Sequence, residues 1–306
     1  MLPLMPLVTV LGSCNMDLVA FADRAPRLGE TVMGRRFLTV PGGKGSNQAI
    51  AAARAGGAVC MLGAVGADDF GRALRSVLGG AGVDHRALRE TSEPTGIAHI
   101  VVDGGGSNAI IVIPSANATV TSLTADEEAI VAGSAVLLLQ LELPIEAAIA
   151  GAAVAHRAGV RVILTPSPVQ PLPDDLLANV DLLAPNEHEI AALTGIQEPR
   201  AALLSLLEKV PEVVVTLGAE GCLYGARAGG VSPADLLHVP AFRVEAVDTT
   251  AAGDTFVGVM AASLAEGRPV PEALRRGNAA AALSVQRAGA STSMPTRDEV
   301  DAFLHQ

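Results

Sequence analysis

Short, apolar, β-branched runs alternate with Ala- and Leu-rich segments along the whole chain, and this alternation restricts the fold more than any other feature. The runs lie at 7–13, 58–65, 135–140, 160–165, 180–183 and 212–216. Helix-like segments lie at 43–55, 69–80, 125–132, 145–158, 187–194, 200–209, 252–266 and 271–286. Such a pattern predicts a mostly parallel sheet built with right-handed crossovers. Runs such as AVLLLQ at 135–140 show no polar alternation, as expected when helices cover both sheet faces. The predicted class is therefore α/β, a mostly parallel central sheet flanked by helices. The length fits a single domain over residues 1–306.

Two stretches break the pattern. Residues 18–40 and 96–113 lack a helical period, and the second reads as a β-hairpin around Asp103-Gly104-Gly105-Gly106. Together they predict a small β-sheet inserted in the main fold. An uncovered face on such a sheet needs a ligand or a partner subunit.

Composition excludes some functions. Aromatic residues make up 2% of the chain and the net charge is −11, which argues against base stacking and against a nucleic-acid backbone partner. Cys14, Cys60 and Cys222 are an odd number without metal-ligand spacing, so a reducing compartment, the cytoplasm, is expected. Leu11-Gly12-Ser13-Cys14 resembles a lipoprotein cleavage box. Residues 1–14 contain no Lys or Arg, however, and the run reads as a buried first strand. No apolar stretch is long enough to span a bilayer, so no membrane partner is expected.

The richest motif is Asp248-Thr249-Thr250-Ala251-Ala252-Gly253-Asp254-Thr255 ahead of a helix. Its small residues let an anion approach the backbone amides of the helix N-terminus. Asp254 beside that site suits a base that takes a hydroxyl proton during phosphoryl transfer; an Asp there also serves as a plain helix cap. Gly42-Gly43-Lys44-Gly45-Ser46-Asn47-Gln48 opens another helix. It lacks the Walker A spacing and fits either a close-approach site with Lys44 and Asn47 as donors or an ordinary glycine turn. Asn15 and Asp17, two apart after the first strand, face one side and suit sugar hydroxyls, or form an Asx turn. Asn186 and Glu189, three apart, fit Mg²⁺-bound water or a capping box. Thr216-Leu217-Gly218-Ala219-Glu220-Gly221 fits a nucleotide contact or a turn. Glu142, at a strand end, fits a ligand contact or a solvated position.

Taken in order, GSCNMD, GGKGSNQA, LLQLELP, APNEHE, TLGAEG, AVDTTAAGDTF and SVQRAGASTSMP resemble the PfkB-type, ribokinase-like family of carbohydrate kinases, from about residue 7 to the C-terminus. The resemblance implies a Rossmann-like (ribokinase-like) main domain and ATP-dependent phosphorylation of a pentose, ribose before other sugars, with the small sheet acting as a lid and as a homodimer contact. It implies Asp254 as base and an anion hole from the Ala252, Gly253 and Asp254 amides after Ala251. Sugar contacts would be Asn15, Asp17, Gly43, Lys44, Gly45, Asn47, Glu142 and Asp254. Nucleotide contacts would be Asn186, Thr216, Leu217, Gly218, Ala219, Glu220, Gly221, Gly253 and Asn278. Mg²⁺ would be linked to Asn186 and Glu189. A monovalent cation, K⁺, would lie among Asp248, Thr250, Ser284, Arg287, Gly289 and Ser293. Thr165-Pro166-Ser167-Pro168, Ser115-Ala116-Asn117-Ala118 and Asn278 depart from the family's usual residues. Two alternatives stay open at this level: another sugar or nucleoside as acceptor, and a non-catalytic sugar-binding protein on the same fold.

Overall fold

The computed structural model describes residues 7–227 and 235–305. The ends of the expected 1–306 domain, and residues 228–234, lie outside the described residues. In chain order the N-terminal part is β1 (Leu7–Leu11), β2 (Asn15–Ala22), β3 (Gly34–Gly42), α1 (Lys44–Arg54), β4 (Ala58–Gly66), α2 (Asp69–Gly80), β5 (Leu88–Thr91), β6 (Gly96–Val102) and β7 (Asn108–Ile113). The middle is α3 (Ala125–Ala132), β8 (Val136–Leu139), α4 (Ile145–Ala158), β9 (Arg161–Leu164), α5 (Asp174–Leu177), β10 (Leu182–Leu183), α6 (Glu187–Thr194), α7 (Pro199–Leu206) and β11 (Glu212–Thr216). The last part is β12 (Cys222–Ala226), β13 (Leu237–Val239), α8 (Ala252–Ala265), α9 (Val270–Val285) and α10 (Arg297–Leu304).

The main sheet has the order β13-β12-β11-β10-β9-β8-β1-β4-β5. It is parallel from β5 to β11, and β12 and β13 join antiparallel at one edge. Alternate residues of each strand bury into opposite faces. Val136 and Leu138 join one core with α1, α8 and α9, whereas Leu137 and Leu139 join the other with α4 and α7. Burial on both faces explains why these strands read as unbroken apolar runs.

After β1 the chain crosses to β4 on one side, while β8 occupies the other side. The β1/β8 boundary is therefore a topological switch point, where ligands bind beyond the carboxyl ends of parallel strands. The loops leaving β1 and β8 carry Gly12–Cys14 and Gln140–Glu142.

The second sheet has the order β3-β2-β6-β7. Its outer pairs are antiparallel and β2 runs parallel to β6. The expected hairpin is present as β6 and β7. The expected segment 18–40 needs correction: the first strand already starts at Asn15, and residues between β2 and β3 are loop. Asn15 and Asp17 are thus part of the small sheet. The sequence pattern does not announce β5, β12, β13, α5 or α10. They are short or lie at edges; α10, for instance, buries a single residue, Val300.

Candidate active site

The glycine turn packs directly on the loop after β1. Gly43 is the N-cap of α1 at φ 92°, and a Cβ there would lie 2.7 Å from the Asn15 amide nitrogen and 2.9 Å from the Ser13 carbonyl oxygen. Only glycine tolerates both that backbone and that approach. Ser46 N donates to Ser13 O at 2.9 Å and Gly45 N to Ser13 Oγ at 3.4 Å, which locks the two segments together.

Glu142 is half-buried and engaged. Its Oε2 accepts from the Lys44 amide at 3.0 Å and from Ser13 Oγ. It caps the N-terminus of α1 from another part of the chain, where the helix dipole favours a carboxylate. Asn15 is held by Asn117, whose Nδ2 donates to Asn15 Oδ1 at 2.8 Å and to Cys14 O at 3.0 Å. Asn117 Oδ1 accepts from the Cys14 amide in turn, at 3.0 Å. The Asn15 NH₂ is left as its outward donor. Cys14 itself is inert, since burial pushes its thiol up to about 12.

Asp254 is the third residue of α8, not its cap. The cap position holds Ala251 in the left-handed region at φ 59°, without a side-chain cap bond. Alanine is a poor cap and incurs a steric cost in that conformation, so the bend is strained and leaves helix amides unserved. One expectation is revised here. The Ala252 amide donates to Thr249 O at 3.2 Å, so the outward amides are those of Gly253 and Asp254.

The Asp254 carboxylate meets α1. Asn47 Nδ2 donates to its Oδ2 at 3.3 Å and Gln48 Nε2 to its Oδ1 at 3.1 Å. Burial raises its pKa above the ordinary carboxylate range, against the Lys44 charge and the Gln48 hydrogen bond, while Glu142 adds to the rise. Asp17 is pushed up to about 7 by burial and by the Glu142 and Asp254 charges. Burial works to lower the Lys44 pKa, but Asp254, Glu142 and Glu189 outweigh it and hold the ammonium above its usual range. These mutual couplings link β2, α1, the loop after β8, α6 and α8 in one cluster of charges. Asn47 Oδ1 is buried there without a hydrogen-bond donor.

Further along the main sheet, a β-bridge joins Asn186 to Thr216, and Thr216 N donates to Pro185 O at 3.1 Å. The turn Leu217–Gly221 closes on itself, with Leu217 N donating to Gly221 O at 2.8 Å and Ala219 inside its helical turn over Gly218–Glu220. Asn278 is committed to this architecture: its Nδ2 donates to Val239 O at 2.9 Å and Pro240 O at 3.3 Å. The capping box at Asn186 and Glu189 is present. Asn186 Oδ1 accepts from the His188 and Glu189 amides, and Glu189 Oε2 accepts from the Asn186 amide at 2.8 Å. Glu189 Oε1 stays outside that box.

Asp248, Thr250 and Gly289 are also brought together. Asp248 Oδ1 accepts from Thr250 N at 2.9 Å and Oγ1 at 2.6 Å, and its Oδ2 accepts from Gly289 N at 2.8 Å. Burial opposes ionisation of Asp248, but these donors prevail and hold its pKa below the ordinary value. The Ser284 carbonyl accepts from Arg287 N at 3.1 Å, the Arg287 side chain pairs with Glu299, and Ser293 bonds Ala290 O. Among the described residues, no cluster of three or more His, Cys, Asp or Glu is arranged to hold a metal by itself. No described helix is long and apolar enough to cross a membrane.

The sequence pattern of pfkB family carbohydrate kinases matches residues 5–297. The chain belongs to that family. It is 40% identical to the ribokinase of Bacillus subtilis over 302 residues, covering 97% of this chain and 99% of the relative. It superposes on the Arabidopsis thaliana ribokinase complexed with ribose and ATP with a TM-score of 0.93, at 34% identity, covering 99% of this chain and 100% of that one. The Thermotoga maritima ribokinase gives a TM-score of 0.90 at 37% identity, covering 98% and 100%. Membership in that family gives the chain a chemistry, ATP-dependent phosphorylation of a sugar. Sequence reasoning missed Gln48, Gln140, Ser13 and Asn117 as site residues. Gln48 lay inside a quoted motif, but its contacts with Asp254 are 206 positions away in the chain.

Proposed function

We propose that this PfkB-family kinase transfers the γ-phosphoryl group of ATP to the 5-hydroxyl of ribose, with Asp254 as the base. The observation that carries the reading is the clustering of Asp254, Lys44, Asn47 and Asp17 beside two outward helix amides. Asp17 and the Asn15 NH₂ group face adjacent hydroxyls, and the unpaired Asn47 Oδ1 accepts another. Similarity to ribokinases, one of them complexed with ribose and ATP, supports ribose as acceptor and ATP as donor.

In this reading Asp254 takes the hydroxyl proton as the oxygen attacks the γ-phosphorus. The bond to the β-phosphate oxygen breaks and ADP departs. The Gly253 and Asp254 amides stabilise the charge that develops on the transferring group. The nucleotide lies along Asn186, Thr216 and the Leu217–Gly221 turn. Glu189 Oε1, whose charge reaches Lys44, suits a water of Mg²⁺ carried by the phosphates, and the capping box holds it in place. Mg²⁺ would neutralise phosphate charge. The oxygen-rich set around Asp248, Thr250 and Gly289 suits K⁺, which would steady the bend before α8.

A homodimer through the small sheet completes the proposal. Register places Val19, Leu38, Ile100, Ile110 and Val112 on the same sheet face as Asp17. Ile110 is 52% and Val112 46% exposed, so an apolar surface continues outward from the sugar site and suits a second copy. The deciding experiment is a coupled assay of Asp254→Asn with ribose, ATP, Mg²⁺ and K⁺. Turnover should fall by at least about 10²–10⁴-fold, with ribose binding retained. Near-normal turnover would remove Asp254 from its role.

A further inference from the structure

Behind Asp254 lies a chain of buried amides with no route to a ligand. Gln48 is 0% exposed and Gln140 2%. Gln48 Nε2 donates to Asp254 Oδ1 at 3.1 Å and to Thr165 Oγ1 at 3.3 Å, and Gln140 Nε2 donates to Gln48 Oε1 at 2.6 Å. An ionised carboxylate only accepts, so Gln48 must turn its NH₂ toward Asp254 and its carbonyl toward Gln140. Gln140 must then present its own NH₂, which leaves Gln140 Oε1 buried without a donor. An unpaired buried acceptor is unfavourable, and the arrangement trades that cost for a fixed amide orientation at the carboxylate.

The backbone is shaped for this contact. A Cβ at Gly258, one turn after Asp254 on α8, would lie 2.6 Å from the Gln48 carbonyl oxygen and from Ala51 Cβ. The absence of that side chain lets α8 approach α1 closely enough for Gln48 to reach Asp254. Asn47, the other donor to Asp254, keeps an unpaired Oδ1 that a bound hydroxyl could serve. Gln48 keeps none, because nothing but protein surrounds it.

Resting on the assignment of Asp254 as base, we propose that Gln48, itself oriented by Gln140, is a positioning residue that keeps the Asp254 carboxylate ionised and aimed at the acceptor hydroxyl. Lys44, Glu142 and Asp17 are the other charged groups around that carboxylate, and none of them is altered by changing Gln48.

The test measures kcat against pH for Gln48→Met, Gln48→Glu and Gln140→Met, with ribose binding by calorimetry and Asp254→Asn as control. Losing the donor disfavours the charged base, so the acid limb should rise by about one pH unit in Gln48→Met. It should rise further in Gln48→Glu, where a second carboxylate faces Asp254, and less in Gln140→Met. Ribose affinity should change by less than about threefold while kcat falls by roughly tenfold. If Gln48→Met fails to fold, the isosteric Gln48→Glu and the distant Gln140→Met decide alone. An unmoved acid limb in the folded variants, or equal losses in affinity and turnover with that limb unmoved, overturns the proposal. An active Asp254→Asn instead overturns the assignment of the base.

Discussion

Changing Asp17 to Asn separates the stability of the empty site from its use. Asp17 lies partly buried on β2, facing Glu142 and Asp254, and its pKa rises from 3.8 to about 7. Below about pH 4 the side chain is protonated in folded and unfolded chains alike and contributes nothing to the pH dependence. Between about pH 4 and 7 the folded chain keeps a proton that the unfolded chain has released, so stability falls as pH rises. Above about pH 7 the full cost is present. Roughly three pH units at about 1.4 kcal/mol each set a ceiling near 4 kcal/mol. Water and local relaxation screen part of it, and about 1–3 kcal/mol is expected. Urea or thermal unfolding of both proteins from pH 4 to 9 is the assay. The Asp17→Asn substitution should bring little gain near pH 4, a growing gain up to pH 7 and a constant gain above, while ribose affinity falls at least about tenfold. A pH-independent difference, or a wild type that is the more stable at pH 8, would refute the electrostatic reasoning.

Three further outcomes are expected. Gly43→Ala forces a Cβ against the Asn15 amide at φ 92°, and should lose at least about 2 kcal/mol of stability in denaturant titration together with sugar binding. Asn117→Ala removes the three hydrogen bonds that hold Cys14 and Asn15, and should cost about 2–4 kcal/mol while raising the sugar KM about tenfold with a smaller change in kcat. Ile110→Glu combined with Val112→Glu places charges on the apolar face of the small sheet and should yield monomers in analytical ultracentrifugation; an intact dimer would move the subunit contact elsewhere.

Local physics was legible in the chain. The helices α1, α2, α3, α4 and α6 begin and end within a residue of their expected limits, because glycine turns, Asp68, Thr124 and Asn186 mark their starts. The apolar runs announced the parallel strands because each buries both faces. Edge strands such as Leu88–Thr91 and Leu237–Val239 escaped notice, since a strand with little to bury carries little pattern. Of the site, the candidate base and the candidate glycine turn were visible as motifs, because small residues before a helix have a local reason to be there.

What the sequence determined, then, was the order of strands and helices and the residue types presented at their ends. Only the tertiary structure decided which of those ends meet. Glu142 caps a helix that begins 98 positions earlier, and Gln48 reaches a carboxylate 206 positions later. Period and capping act within a few residues, whereas these contacts arise where β1 parts its neighbours β4 and β8 and where α1 presses on α8. The pKa of Asp17 belongs to the same class: a carboxylate two residues from an asparagine is ordinary in the chain, and becomes unusual only when burial and two other carboxylates surround it.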